Sequence, residues 1–174
     1  MSVESGGFAA SQLVALFNAT FEKSDRTVLQ GGADEPYYAP GKPHRIVFRE
    51  DFARSALHEV AHWCVAGERR RTLPDYGYWY SPDGRDAAQQ QAFFTVEARP
   101  QAIERCFCEA IGLPFAPSNN NVGAQIEPQQ LRRFEARIQG WCNRFGRIGL
   151  PLRAARLTAA LRVTTSLSQV SVPE

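Results

Sequence analysis

The stretch from Asp51 to Ala66 limits what this chain can fold into more than any other segment. At about 100° of turn per residue, Phe52, Ala53, Ala56, Leu57, Val60, Ala61, Trp63 and Cys64 share one broad apolar arc. Asp51, Ser55, His58 and His62 line up opposite the centre of that arc. The pattern predicts a half-buried helix that opens on an acidic residue, which suits the helix dipole, and stops at Gly67. Both histidines then point away from the main core.

Within this helix, His58-Glu59-Val60-Ala61-His62 is an HExxH sequence. Residues four apart sit one turn apart on one face, so two imidazoles can bind one ion. In a metalloprotease of this pattern, Glu59 would lie beside the metal as general base on its bound water. The plain alternative is a pair of solvated helix histidines. It is weakened because the chain has only 3 histidines and two of them share this turn. The other, His44, carries no spacing signal, so a carboxylate is the better third ligand. Asp83, Asp86, Glu97 and Glu104 all remain open on the residues alone, each with an ordinary role as cap, turn residue or solvated charge.

Around this helix the pattern predicts an α+β, mainly helical fold with a small β element. Leu13, Val14, Leu16, Phe17 and Phe21 have helical spacing from Ser11 to Phe21, with Ser11 as N-cap. Thr27–Gln30 and His44–Phe48 read as short strands, and Pro36, Pro40 and Pro43 impose a loop between them. The aromatic run Tyr76, Tyr78, Trp79 and Tyr80 reads as a strand over Pro74–Pro82 that ends in the turn Ser81-Pro82-Asp83-Gly84. One helix is expected from Asp86 towards Glu97 and another from Pro100 to Ile111, closing at Gly112, with Pro100 interrupting or kinking the pair. Leu113–Gln125 reads as a surface loop over the site, and helices follow at Gln129–Phe145 and Leu152–Val163 before a frayed tail.

Composition removes several classes of function. The chain has 174 residues, 44% apolar and 22% charged. That matches one ordinary globular domain, neither disordered nor membrane-embedded. No run approaches the roughly 20 apolar residues that cross a bilayer, and the N-terminus lacks a basic region followed by an apolar core, so a cytoplasmic protein without a membrane partner is expected. Cys64, Cys106, Cys108 and Cys142 form no CxxC pair and read as thiols, with Cys64 in the core. A net charge of +2 gives no ground for direct nucleic-acid binding. The run Arg69, Arg70, Arg71 either solubilises a helix end or docks an acidic macromolecule.

Several blocks together resemble the bacterial elongation factor P hydroxylases, which modify a lysine of that translation factor. They are Asp34-Glu35-Pro36, His44-Arg45-Ile46-Val47-Phe48, the Ser55 to Gly67 helix with its HExxH and His62-Trp63-Cys64, the run from Gly77 to Asp86, and Val96-Glu97 with Pro100-Gln101-Ala102. The resemblance spans most of the chain, and its aromatic-to-DGRD block is far more distinctive than HExxH.

The resemblance implies a zincin-like HExxH helix put to oxidative use, in a single metal-dependent hydroxylase domain over 1–174. Its two-histidine, one-glutamate site maps onto His58, His62 and Glu97, which is what ranks Glu97 first. Such a facial set suits non-haem Fe(II), with dioxygen in the open positions, although zinc accepts the same ligands. The implied reaction adds one oxygen to the lysine of elongation factor P already extended by β-lysine. Tyr78, Trp79, Tyr80, Asp83, Arg85 and Asp86 would hold the long cationic side chain through its apolar stem and ammonium, although each also has an ordinary packing or turn role. Glu59 is the candidate catalytic residue. The rival reading is a zinc-dependent HExxH metallopeptidase. A non-catalytic module with a structural metal is disfavoured, because closed zinc sites usually carry four protein ligands and often thiolates.

Overall fold

The computed structural model describes residues 8–78, 84–119 and 126–170. Five helices and one small sheet are found among them. The order is α1 (Ala10–Asp25), β1 (Thr27–Ala33), β2 (Tyr37–Ala39), β3 (His44–Arg49), α2 (Ala53–Val65), α3 (Ala87–Ile111), α4 (Pro128–Ile148) and α5 (Leu152–Val170), with 3₁₀ turns at Arg70–Thr72 and Pro74–Gly77 between α2 and α3. No described helix is long and apolar enough to cross a membrane.

The sheet has the order β1-β3-β2. β3 lies in the middle, parallel to β1 and antiparallel to β2. Its Ile46, Val47 and Phe48 are all buried, which explains why the segment reads as an unbroken β-prone run. α1 lies against β1, and α2 leaves β3 to pack on α3. One continuous apolar core joins the sheet and all five helices. At its centre Trp63 meets Phe17 and Phe21 edge-on, with ring centroids 5.3 and 5.0 Å away, and Phe94 of α3 stacks on Phe134 of α4 at 4.2 Å.

Several local expectations change. α1 begins at Ala10 with Ala9 as its N-cap, so Ser11 lies inside the first turn instead of capping it, and Gln12 Oε1 accepts the Ala9 N–H at 2.8 Å. α2 starts at Ala53, not Asp51; Ser55 Oγ accepts the Arg49 N–H and so fixes the exit from β3. The proline-flanked segment expected as a loop contains β2, because Tyr38 lies buried beside Ile46. Pro74–Gly77 is a 3₁₀ turn rather than a strand, with Asp75 and Tyr76 at φ of 47° and 60°. Tertiary contacts outweigh the β propensity of this segment. Asp75 Oδ1 accepts the Tyr38 N–H at 2.8 Å, and the Tyr76 ring stacks on Tyr38 at 4.3 Å. Residues 79–83 of the expected strand and turn lie outside the described residues.

The largest difference concerns α3, which runs unbroken over 25 residues with Pro100 inside it. Proline removes one helical hydrogen bond at a cost of about 3 kcal/mol. Here the flanking turns are held on both sides, since α3 packs against α2, α4 and α5. Its ends are where the sequence places them. Asp86 caps the start, accepting the Gln89 N–H at 2.8 Å, and Gly112 closes the end at φ 70°. α5 continues past Val163 to Val170.

Candidate metal centre

The site forms where the histidine face of α2 meets α3. α3 turns Glu97, Gln101 and Glu104 towards α2, at spacings i, i+4 and i+7 that share one face. These polar side chains are almost fully enclosed, with 1%, 0% and 3% of their surface exposed. A polar stripe inside an otherwise apolar interface persists only when each group finds a partner. His58 and His62 therefore do not face open solvent. They point away from the apolar arc, as the helix geometry requires, but into this acidic stripe.

One Glu97 oxygen lies 3.1 Å from His62 Nε2, and its other oxygen lies 3.7 Å from His58 Nε2. One ligand atom from each of His58, His62 and Glu97 falls within 4.8 Å of the others. Two imidazole nitrogens and one carboxylate make a donor set suited to a divalent ion, on one side of it. On the far side of His58, Nδ1–H donates to Glu104 Oε2 at 2.8 Å, which leaves Nε2 as the nitrogen facing Glu97. Gln101 Nε2 donates to Glu97 Oε2 at 3.2 Å.

Charge matches this geometry. Burial alone would push the Glu97 carboxyl up. The charges of His62 and His58, with hydrogen bonds from His62 and Gln101, outweigh it and hold Glu97 at about 2. Burial would likewise lower His58, but the hydrogen bond to Glu104 and the charges of Glu97, Glu104 and Glu59 hold it up to about 10. Without an ion the cluster keeps a proton and an ionised carboxylate face to face. A divalent cation can replace that proton. Glu59 is half-buried one step around α2. Burial raises its carboxyl, the His58 and His62 charges lower it, and Glu97 and Asp75 raise it again, with a net rise.

A small pocket opens beside His62 and Glu97, lined by Val65, Ala66, Tyr78, Val96 and Pro100. Tyr78 is thus brought to the site, with the Arg70 guanidinium 4.3 Å over its ring. Arg85 is buried, lies 4.0 Å over the Phe93 ring, and donates to Gln90 Oε1 and the Asn119 carbonyl. Asp86 is occupied as the α3 cap. Trp79, Tyr80 and Asp83 lie outside the described residues. His44 stands apart from the cluster at the start of β3, where Nδ1 accepts the Gly41 N–H. In the arginine run, Arg70 donates to the Tyr76 carbonyl and Arg71 to the Ala66 carbonyl, so both brace the turns after α2.

Sequence reasoning treats Glu104 only as a possible third ligand and does not find the contributions of Gln101 and Arg54. The i, i+4, i+7 stripe on α3 is a signal for the first two, although the expected break at Pro100 hides it. No local pattern marks Arg54, whose partners are 50 and more residues away in sequence.

Comparison with known proteins agrees with the resemblance. A family described as elongation factor P hydroxylase matches residues 16–172. The elongation factor P lysine hydroxylase of Haemophilus influenzae is 40% identical over 153 residues, covering 86% of this chain and 85% of that protein.

Proposed function

The chain belongs to the elongation factor P hydroxylase family, and from that premise we propose that it adds one oxygen atom to the β-lysyl-extended lysine of elongation factor P, using Fe(II) held by His58, His62 and Glu97. The observation that carries this reading is the convergence of those three ligand atoms within 4.8 Å on facing helices. We read the whole chain, 1–174, as one hydroxylase domain acting in the cytoplasm, with α2 as a zincin-like metal helix.

When bound, a redox-active ion supplies the activation of dioxygen, which the protein side chains lack. The chain's own residues bind, orient and shield. Val65, Val96 and Pro100 give the pocket beside His62 apolar walls and Tyr78 adds an aromatic edge; at about 20 Å³ it receives a single group of the lysine side chain rather than the whole stem. Holding the reacting carbon beside the ion in a fixed pose is the main contribution such a wall makes. Glu59, whose carboxyl is raised by burial against the lowering charges of His58 and His62, is our candidate for proton handling beside the ion.

The test uses elongation factor P in two forms, unmodified and β-lysyl-extended, each incubated with Fe(II)-loaded protein, dioxygen and a reductant and then weighed by mass spectrometry. The extended form gains one oxygen atom on this reading. Absence of any gain in both forms contradicts it.

A further inference from the structure

Two routes run outwards from the triad and end on the same short stretch of chain, one hydrogen-bonded throughout and one that passes through an ion pair. Glu104 takes the Nδ1–H of His58 at 2.8 Å, while its other oxygen lies 3.7 Å from Arg54 Nη2. The same Arg54 nitrogen donates to the Ala116 carbonyl at 2.7 Å. Gln101 donates to Glu97 Oε2 and, through the same nitrogen, to the Ser118 carbonyl at 2.8 Å, while its Oε1 accepts the Ser118 N–H at 3.0 Å. Because Oε1 is bound to a donor, the Gln101 amide cannot turn over, and its N–H is committed to Glu97.

We propose that Gln101 and Glu104 are positioning residues of the metal centre, and that segment 116–118 locks both of them in place. This rests on the reading that His58, His62 and Glu97 hold an ion. A carboxylate can only accept, so Glu104 places the His58 proton on Nδ1 and frees Nε2 for the metal. Gln101 restrains one Glu97 oxygen and leaves the other to face His62. Arg54 sits where it offsets the buried Glu104 charge, which is 3% exposed and costly without a partner. Outer partners of this kind orient the ligands of metal sites and raise their basicity, and their removal typically lowers metal affinity by about 10- to 100-fold.

The decisive experiment measures Co(II) affinity by chelator competition, together with the visible spectrum of the Co(II) protein, for the wild type, E104A, E104Q, Q101A and H58A. Circular dichroism of each metal-free variant monitors the fold. E104A and Q101A are expected to bind about 10- to 100-fold more weakly, with a shifted Co(II) spectrum at saturation. E104Q, whose amide oxygen still accepts the Nδ1–H, is expected to recover most of the loss. Affinity and spectrum indistinguishable from the wild type in E104A and Q101A, while H58A loses the ion, overturn the proposal and leave the metal site standing. A wild type that binds no ion removes the metal reading and the proposal together. If E104A does not fold, Q101A decides by the same criteria.

Discussion

Glu97 Oε1 lies 3.1 Å from His62 Nε2, although the two residues come from different helices and 35 positions apart in the chain. α2 supplies the imidazoles through its one-turn spacing, and α3 brings the carboxylate on a helix that Pro100 does not break. Removing any of the three residues deletes one of three proposed protein ligands. H58A, H62A and E97A should therefore each lose bound metal after purification, measured by elemental analysis. Full metal content in these variants would show that the ion lies elsewhere.

The same cluster sets a pH profile for the metal-free protein. His58 is held up to about 10 from its ordinary 6.5, so its contribution to stability is complete below about pH 6.5 and is lost as pH rises towards 10. Glu97 is held at about 2 instead of 4.5, so its contribution is present above about pH 4.5 and is lost as pH falls towards 2. Urea unfolding of metal-free protein should show greatest stability between about pH 4.5 and 6.5. Saturating divalent metal, which replaces the His58 proton, should flatten the alkaline fall. A stability that rises from pH 6.5 to 9 without metal would contradict these assignments.

Asp75 ties the turn after α2 to the sheet through its bond to the Tyr38 N–H. D75A removes a part-buried bond whose acceptor is exposed, so water can reach the freed donor and the cost is that of an ordinary hydrogen bond, about 0.5–1.5 kcal/mol. Chemical denaturation should show a loss of that size, and Tyr78 should shift within the pocket, seen as a change in its ring resonances. Unchanged stability would mean that Tyr76 stacking alone holds the turn.

Glu59 separates the two chemistries that HExxH allows. A peptidase needs it as general base, whereas a hydroxylase needs it only to hold a proton or a ligand near the ion. E59Q should keep its metal, and the wild type should cleave no peptides. Metal-dependent peptide cleavage that disappears in E59Q would favour hydrolysis.

How far the sequence reveals the site depends on the range of the interactions involved. His58 and His62 can be read directly, because a four-residue spacing is local and α2 has a clear apolar arc. The ends of α3 can also be read, since Asp86 and Gly112 act through their own backbone geometry. Residue reasoning alone leaves Glu97 level with three other carboxylates, and only the family resemblance separates it. Pro100 misleads because local helix rules ignore packing on three sides of α3. Asp75 and Tyr76 mislead for a similar reason, as their left-handed turn is set by contacts with Tyr38. Arg54 leaves no local trace, and the loop expected over the site from Leu113 does not reveal which of its residues hold the triad's partners, because Ala116 and Ser118 act through Arg54 and Gln101, distant in sequence.

Oxygen transfer itself provides the most direct test of the central claim. Fe(II)-loaded protein, a reductant and β-lysyl-extended elongation factor P are incubated under isotope-labelled dioxygen in ordinary water, with E97A in parallel, and the modified lysine is located by peptide mass spectrometry. The account predicts one labelled oxygen atom on that lysine with the wild type and none with E97A. An unmodified lysine with the wild type, or equal labelling with E97A, would contradict it.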